Sequence, residues 1–196
     1  RLTKNGVSNT NNPIGDTLTA GTNWTLSCLT PVLSADTETV VTVDFTDTDG
    51  NSDTTDDSLP ITVPNPGLQV TVSPSSKSIY KGGDVTYTYS VKNTGNVPLT
   101  IDSVVGSNCS KSSSPAKSTL GAVYISGDPN GDGYIEVGDT WTYQCRTLAI
   151  NANETGTATA TGSNNNYSPS LTATATSSTY SVTVIDKPTL TFTKQV

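Results

Sequence analysis

The stretch "DVTYTYSV" (residues 84–91) decides how the chain is read. Val85, Tyr87, Tyr89 and Val91 alternate with Thr86, Thr88 and Ser90. A period of two puts the two sets on opposite faces of an extended strand, one toward a core and one toward water. β-branched and aromatic side chains suit such a half-buried pleated surface. The same alternation returns in "TGTATATG" (155–162) and "STYSVTVI" (178–185). A chain rich in Thr, Ser, Gly and Asn also has the composition of a disordered one. The regular alternation argues against that. Apolar residues are only 32% of the 196, so the core is expected to be thin, as between two facing sheets.

Working outward, strands are expected at about 68–72, 84–92, 98–105, 120–125, 140–148, 155–161, 171–176 and 179–185. Turn signals fall between them at "KGGD" (81–84), "NTGN" (93–96) and "NNNYSP" (164–169). Short strands with such punctuation imply an all-β fold of immunoglobulin-like sandwich type, with antiparallel pairing across the short connections.

The chain repeats itself. "AGTNWTLSCLT" (20–30) matches "VGDTWTYQCRT" (137–147), with Trp24 answering Trp141 and Cys28 answering Cys145, both 117 residues apart. "ITVPNPGLQVTV" (61–72) matches "VTVIDKPTLTFT" (182–193), with Pro66 answering Pro188, 122 residues apart. Two matches at nearly one spacing give a repeat of roughly 120 residues. Residues 66–187 then form one complete β-sandwich repeat. Residues 1–65 correspond to the back half of a repeat, and 188–196 to the first strand of a next one, or to a donor strand. Half a sandwich leaves its inner face bare, so this division expects either a longer tandem protein or pairing between copies. Leu190 and Phe192 are the apolar residues of that terminal strand.

The three cysteines follow the repeat. Cys109 and Cys145 lie in the complete repeat and are expected to pair there. Cys28 is left over, which expects an intermolecular disulfide or a partner in a longer chain. Three free thiols are the competing reading, and an exterior protein disfavours it. Asn-X-Ser/Thr sequons at Asn23, Asn108, Asn153 and Asn166 fit an exported glycoprotein, although a chain of this composition also produces them by chance. There is no apolar run long enough to span a bilayer, so no membrane insertion is expected.

At "GGDVTYTYSVKNTGNVPLTIDSV" (82–104) the pattern becomes specific. Together with "GDTWTYQC" (138–145), "TATATG" (157–162) and "KPTLTFTK" (187–194), it resembles the Thr-rich repeat module of long bacterial and archaeal cell-surface proteins, a module of unknown biochemical function. The resemblance runs in order over nearly the whole chain. It implies tandem immunoglobulin-like antiparallel β-sandwiches in an extracellular, cell-surface structural protein.

"GDPNGDGYIEVGD" (127–139) is the one stretch with the spacing of a metal loop. Asp128, Asn130 and Asp132 stand at positions one, three and five of a calcium loop, and Gly133 at the sharp turn of position six. Tyr134 offers a backbone carbonyl, Glu136 an oxygen at position nine, and Asp139 closes the loop in place of the usual Glu. Ile135 would pin the loop to the core. Ca2+ is therefore the expected cofactor; Mg2+ tolerates irregular cages poorly. The competing reading is an Asp-Gly/Asn-Gly turn with solvated acids. The acid-rich stretch "DFTDTDGNSDTTDDS" (44–58) alternates Asp47, Asp49, Asn51 and Asp53 but has no closing pattern; it reads as a solvated hairpin loop, with calcium binding as the competing reading.

Charge and composition narrow the function. With 17 acids against 10 bases, a net charge of −7 argues against nucleic acid as a partner. With no His, the common Ser–His and Cys–His nucleophile systems are absent, and no enzyme is expected. The chain reads as a subunit or segment of a self-assembling extracellular filament, sheath or surface layer. Its partners would be other copies of itself or flanking tandem repeats. The alternative is an adhesin or glycan-binding module, with Tyr134 and Tyr167 as candidate sugar platforms and Trp24 and Trp141 in the core.

Overall fold

The computed structural model describes residues 2–4, 7–9, 17–26, 33–109 and 122–195. Those residues are all-β, with fifteen strands, and among them no helix is long and apolar enough to cross a membrane. The chain divides into two compact units, Arg1–Val63 and Pro64–Val196.

In the first unit, strands β1 (Leu2–Lys4), β2 (Val7–Asn9) and β3 (Trp24–Leu26) form an antiparallel sheet with β1 in the centre. Strands β4 (Thr37–Thr46) and β5 (Ser52–Ile61) form a separate ribbon, paired from Thr37↔Ile61 to Thr46↔Ser52. Of the acid-rich stretch 44–58, expected as a loop, only residues 47–51 form the turn; the rest is paired strand. Asp47 N–H donates to the Asn51 carbonyl at 2.9 Å, and Asn51 returns N–H and Nδ2 bonds to the Asp47 carboxylate, each at 2.8 Å. The Asn51 side-chain bond, joined by its backbone bond, holds the Asp47 carboxyl below its ordinary pKa. The 28 position lies outside the described residues, so the expected intermolecular pairing of Cys28 does too.

The second unit contains the "DVTYTYSV" strand. Strand β6 (Leu68–Pro74) pairs with β8 (Gly83–Asn93), which pairs with β11 (Thr140–Ile150), which pairs with β10 (Val123–Ser126), all antiparallel. A second group of strands faces this sheet. Strand β13 (Ala158–Asn164) lies between β9 (Thr100–Gly106) and β14 (Leu171–Thr176). Strand β15 (Tyr180–Ile185) lies between β12 (Glu154–Gly156) and β7 (Ser78–Tyr80). The β7–β15 pairing is parallel. Residues 186–195 belong to no sheet, and Leu190 and Phe192 stand exposed.

The alternation determines which side chains meet in the middle. Val85, Tyr87, Tyr89 and Val91 of β8 are fully buried, while Thr86, Thr88 and Ser90 point outward. Opposite them β13 offers Ala158, Ala160 and Gly162, all buried, before the buried Asn164 at its end. Large tyrosines against small alanines are the large-with-small pairing that lets facing layers interdigitate. Gly106 extends the same device: a Cβ there would collide with the Tyr89 ring. The Tyr87 and Tyr180 rings meet at 4.9 Å between centroids.

A disulfide joins Cys109, just beyond β9, to Cys145 in β11, and so links the two facing layers. The Tyr89 hydroxyl lies 2.8 Å from Cys109 Sγ and 3.0 Å from Cys145 Sγ. Thr147 Oγ1 donates to the Asn108 carbonyl beside it.

Candidate metal centre

The stretch 127–139 links β10 to β11. Its turn is shaped by side chains bonding their own backbone. Asp128 accepts the Gly131 N–H at 2.8 Å on one carboxylate oxygen and the Gly133 N–H at 3.0 Å on the other. Asp132 Oδ1 accepts the Tyr134 N–H at 2.8 Å, and its Oδ2 accepts Asn130 Nδ2 at 2.9 Å. Asn130 Oδ1 accepts the Asp132 N–H at 3.3 Å. Gly133, at φ 82°, occupies a backbone region that L side chains rarely adopt, which explains glycine at the sharp turn.

The loop is fastened to the core at three places. Ile135 is fully buried and forms an antiparallel bridge with Leu99, with N–H···O distances of 2.8 and 3.2 Å. The Tyr124 hydroxyl accepts the Asp128 N–H at 2.8 Å. Asn93, 1% exposed at the end of β8, makes the third attachment. Its Nδ2 donates to the Val97 carbonyl at 2.8 Å and the Ile135 carbonyl at 2.9 Å. Its backbone N–H donates to the Asp139 carbonyl at 3.0 Å, and its own carbonyl accepts the Gly138 N–H at 3.1 Å. The sequence marks Asn93 only as the first residue of the "NTGN" turn. The available signal was a buried-strand position, in phase with Val85–Val91, occupied by an amide.

Asp128 and Asp139, the first and last candidate ligands, are half-buried and line one open concavity of about 280 Å3 with Gly127, Pro129 and Thr140. Asn130 and Asp132 are exposed on the turn; Tyr134 and Glu136 are half-buried after it. Among the described residues no group of three or more His, Cys, Asp or Glu side chains is gathered as a ready ligand set. The donors are all oxygen. An ionised carboxylate has room for about four acceptor contacts, so the turn bonds leave lone pairs on Asp128 and Asp132. This chemistry suits a hard cation that completes its shell with water.

Other candidate positions scatter. Asn23 and Asn166 are exposed. Asn153 is exposed, but its Oδ1 accepts the Val184 N–H at 2.7 Å. Asn108 is half-buried, and its Nδ2 donates to the Thr155 carbonyl at 3.0 Å. Trp141 is buried, with Tyr124 edge-on at 5.3 Å; Tyr167 is exposed in the turn between β13 and β14. The Trp24 side chain lies outside what the structure describes. Compared with known proteins, the chain matches no family model and no curated sequence.

Proposed function

We propose that the chain is a structural protein of the cell exterior, a subunit or segment of a self-assembling filament, sheath or surface layer. It acts mechanically rather than catalytically, through immunoglobulin-like sandwiches stiffened by the Cys109–Cys145 bond and by Ca2+ held at Asp128, Asn130, Asp132, Glu136, Asp139 and the Tyr134 carbonyl. The strand order supports the sandwich reading: β6-β8-β11-β10 facing β9-β13-β14 follows the order of the two immunoglobulin sheets. A disulfide across a thin core supports an oxidising, exterior setting.

The observation that carries the reading is apolar surface left bare. Val41, Val43, Phe45 and Leu59 of the β4–β5 ribbon are exposed, as are Leu190 and Phe192. Clustered apolar exposure marks surfaces that meet another protein. Electron microscopy of the purified chain in calcium tests this. Ordered polymers are the expected result; dispersed monomers at every concentration would refute self-assembly.

A further inference from the structure

The β4–β5 ribbon is built like a hairpin that is already packed elsewhere in the chain. Thr37 faces Ile61 and Thr39 faces Leu59 across β4–β5. Moving β4 by the Trp24-to-Trp141 spacing of 117 takes Thr37 and Thr39 to Glu154 and Gly156. Moving β5 by 121, the spacing from Ile61 to Val182, takes Leu59 to Tyr180. Glu154 faces Val182, and Gly156 faces Tyr180, across β12–β15. The register is therefore the same over these two pairs; farther along it slips by one residue, since Thr42↔Asp56 corresponds to Thr159↔Ser177 whereas Thr159 pairs with Thr176. The same shift takes Val41 and Val43 to Ala158 and Ala160, which are fully buried in the second unit. In the ribbon, Val41, Val43, Phe45 and Leu59 are exposed, Phe45 by 51% and Leu59 by 65%, on one face that β5 shares with Asp53, Thr55 and Asp57.

In the second unit the corresponding face is covered in part by β6, which lies against β13, β14 and β15 and turns Leu68 and Val70 inward. The chain also holds a second β6-like segment. Pro66, Leu68 and Val70 recur 122 residues on as Pro188, Leu190 and Phe192. Leu190 is 85% and Phe192 92% exposed, two residues apart and so on one face when extended. Charge matches as well. Residues 33–63 carry eight acids and no base, whereas 187–196 carry Lys187 and Lys194 and no acid.

We infer that this face of the β4–β5 ribbon is the docking site for residues 188–196 of a second copy, with Leu190 and Phe192 laid on Val41, Val43, Phe45 and Leu59. The inference rests on the assembly reading above and specifies its contact: one copy donates a strand, the next receives it, and the joint is head-to-tail. Heterologous joints of this kind propagate into open chains unless the rotation closes a ring.

The test uses full chains with one side of the joint disabled. Phe192→Asp removes the donor and Val43→Asp the acceptor; both positions are exposed, so neither change disturbs a core. In analytical ultracentrifugation the unaltered chain should form long species and each variant alone should stay monomeric. An equimolar mixture should give a species of two copies and stop there, because the one competent donor and acceptor then meet once. That dimer also shows that both variants are folded. If the variants polymerise like the unaltered chain, or if the mixture stays monomeric, the docking site is wrong while assembly stands. If the unaltered chain is itself monomeric, assembly and docking fall together.

Discussion

Asp84 grips the backbone of Ala149. Its Oδ1 accepts the Ala149 N–H at 2.9 Å, while its Oδ2 accepts Arg146 at 2.7 Å. Ala149 sits at φ 51°, inside the irregular step where the β11–β8 register shifts between Thr147 and Ile150. The carboxylate thus holds in place a left-handed residue that breaks the ladder.

Ala149→Gly should stabilise the second unit by roughly 0.5–1 kcal/mol, because a left-handed alanine is strained and glycine is not. Denaturant unfolding checks it; a loss of stability would show that the Ala149 methyl contributes more than its strain costs.

The Asp84 carboxyl is held below its ordinary value of 3.8, first by the Ala149 N–H and then by Arg146, with burial opposing them. A depressed carboxyl contributes stability that is present above its unfolded pKa and lost as pH falls through the folded one. Asp84→Asn should therefore lower stability near neutrality and flatten the acid limb below about pH 4. Thermal melts across that range are the measurement, and an unchanged acid limb would exclude Asp84 as its source.

Asn93→Ala should cost about 1–3 kcal/mol, because the buried Val97 carbonyl loses the Asn93 donor, while the Ile135 carbonyl keeps the Leu99 N–H at 3.2 Å. The same variant should loosen the 127–139 loop, seen as faster amide exchange at Ile135 and Asp139. Exchange unchanged there would mean the Leu99–Ile135 bridge alone anchors the loop.

Calcium at a hundredfold excess over its Kd should stabilise the chain by about 2.7 kcal/mol, and a chelator should remove that increment. Asp128→Ala should melt at one temperature with or without chelator. A melt of the unaltered chain that ignores chelation would dispose of the metal reading.

Burial raises the pKa values of Tyr87, Tyr89 and Tyr143, and the Glu154 carboxylate that accepts the Tyr87 hydroxyl at 2.6 Å raises Tyr87 further. A raised tyrosine contributes stability that is complete below its unfolded pKa, near 10, and is lost as pH rises beyond it. Melting temperature should fall steeply from about pH 10 upward, and less steeply in Tyr87→Phe.

Period-two alternation placed most strands of the second unit, because β8 and β13 each bury one face and sequence shows that directly. The three-residue β7 escaped, since its length carries no period and its parallel partner β15 is distant in sequence. The 127–139 turn was legible because its Asp, Asn and Gly residues bond their own backbone. Its anchoring was not, because Asn93 and Leu99 reach it across the sheet. The alternation of Val41, Val43 and Phe45 was equally visible, but no local pattern says whether another surface covers that face.

The Cys109–Cys145 bond also limits how far the second unit can be drawn out under tension. The two residues are 36 apart in sequence, and their Cα atoms lie 5.9 Å apart. At about 3.4 Å per residue, the link withholds roughly 120 Å of contour length from a pulled chain. A fibre of such units would yield by a shorter stroke in oxidising surroundings and lengthen markedly once reduced.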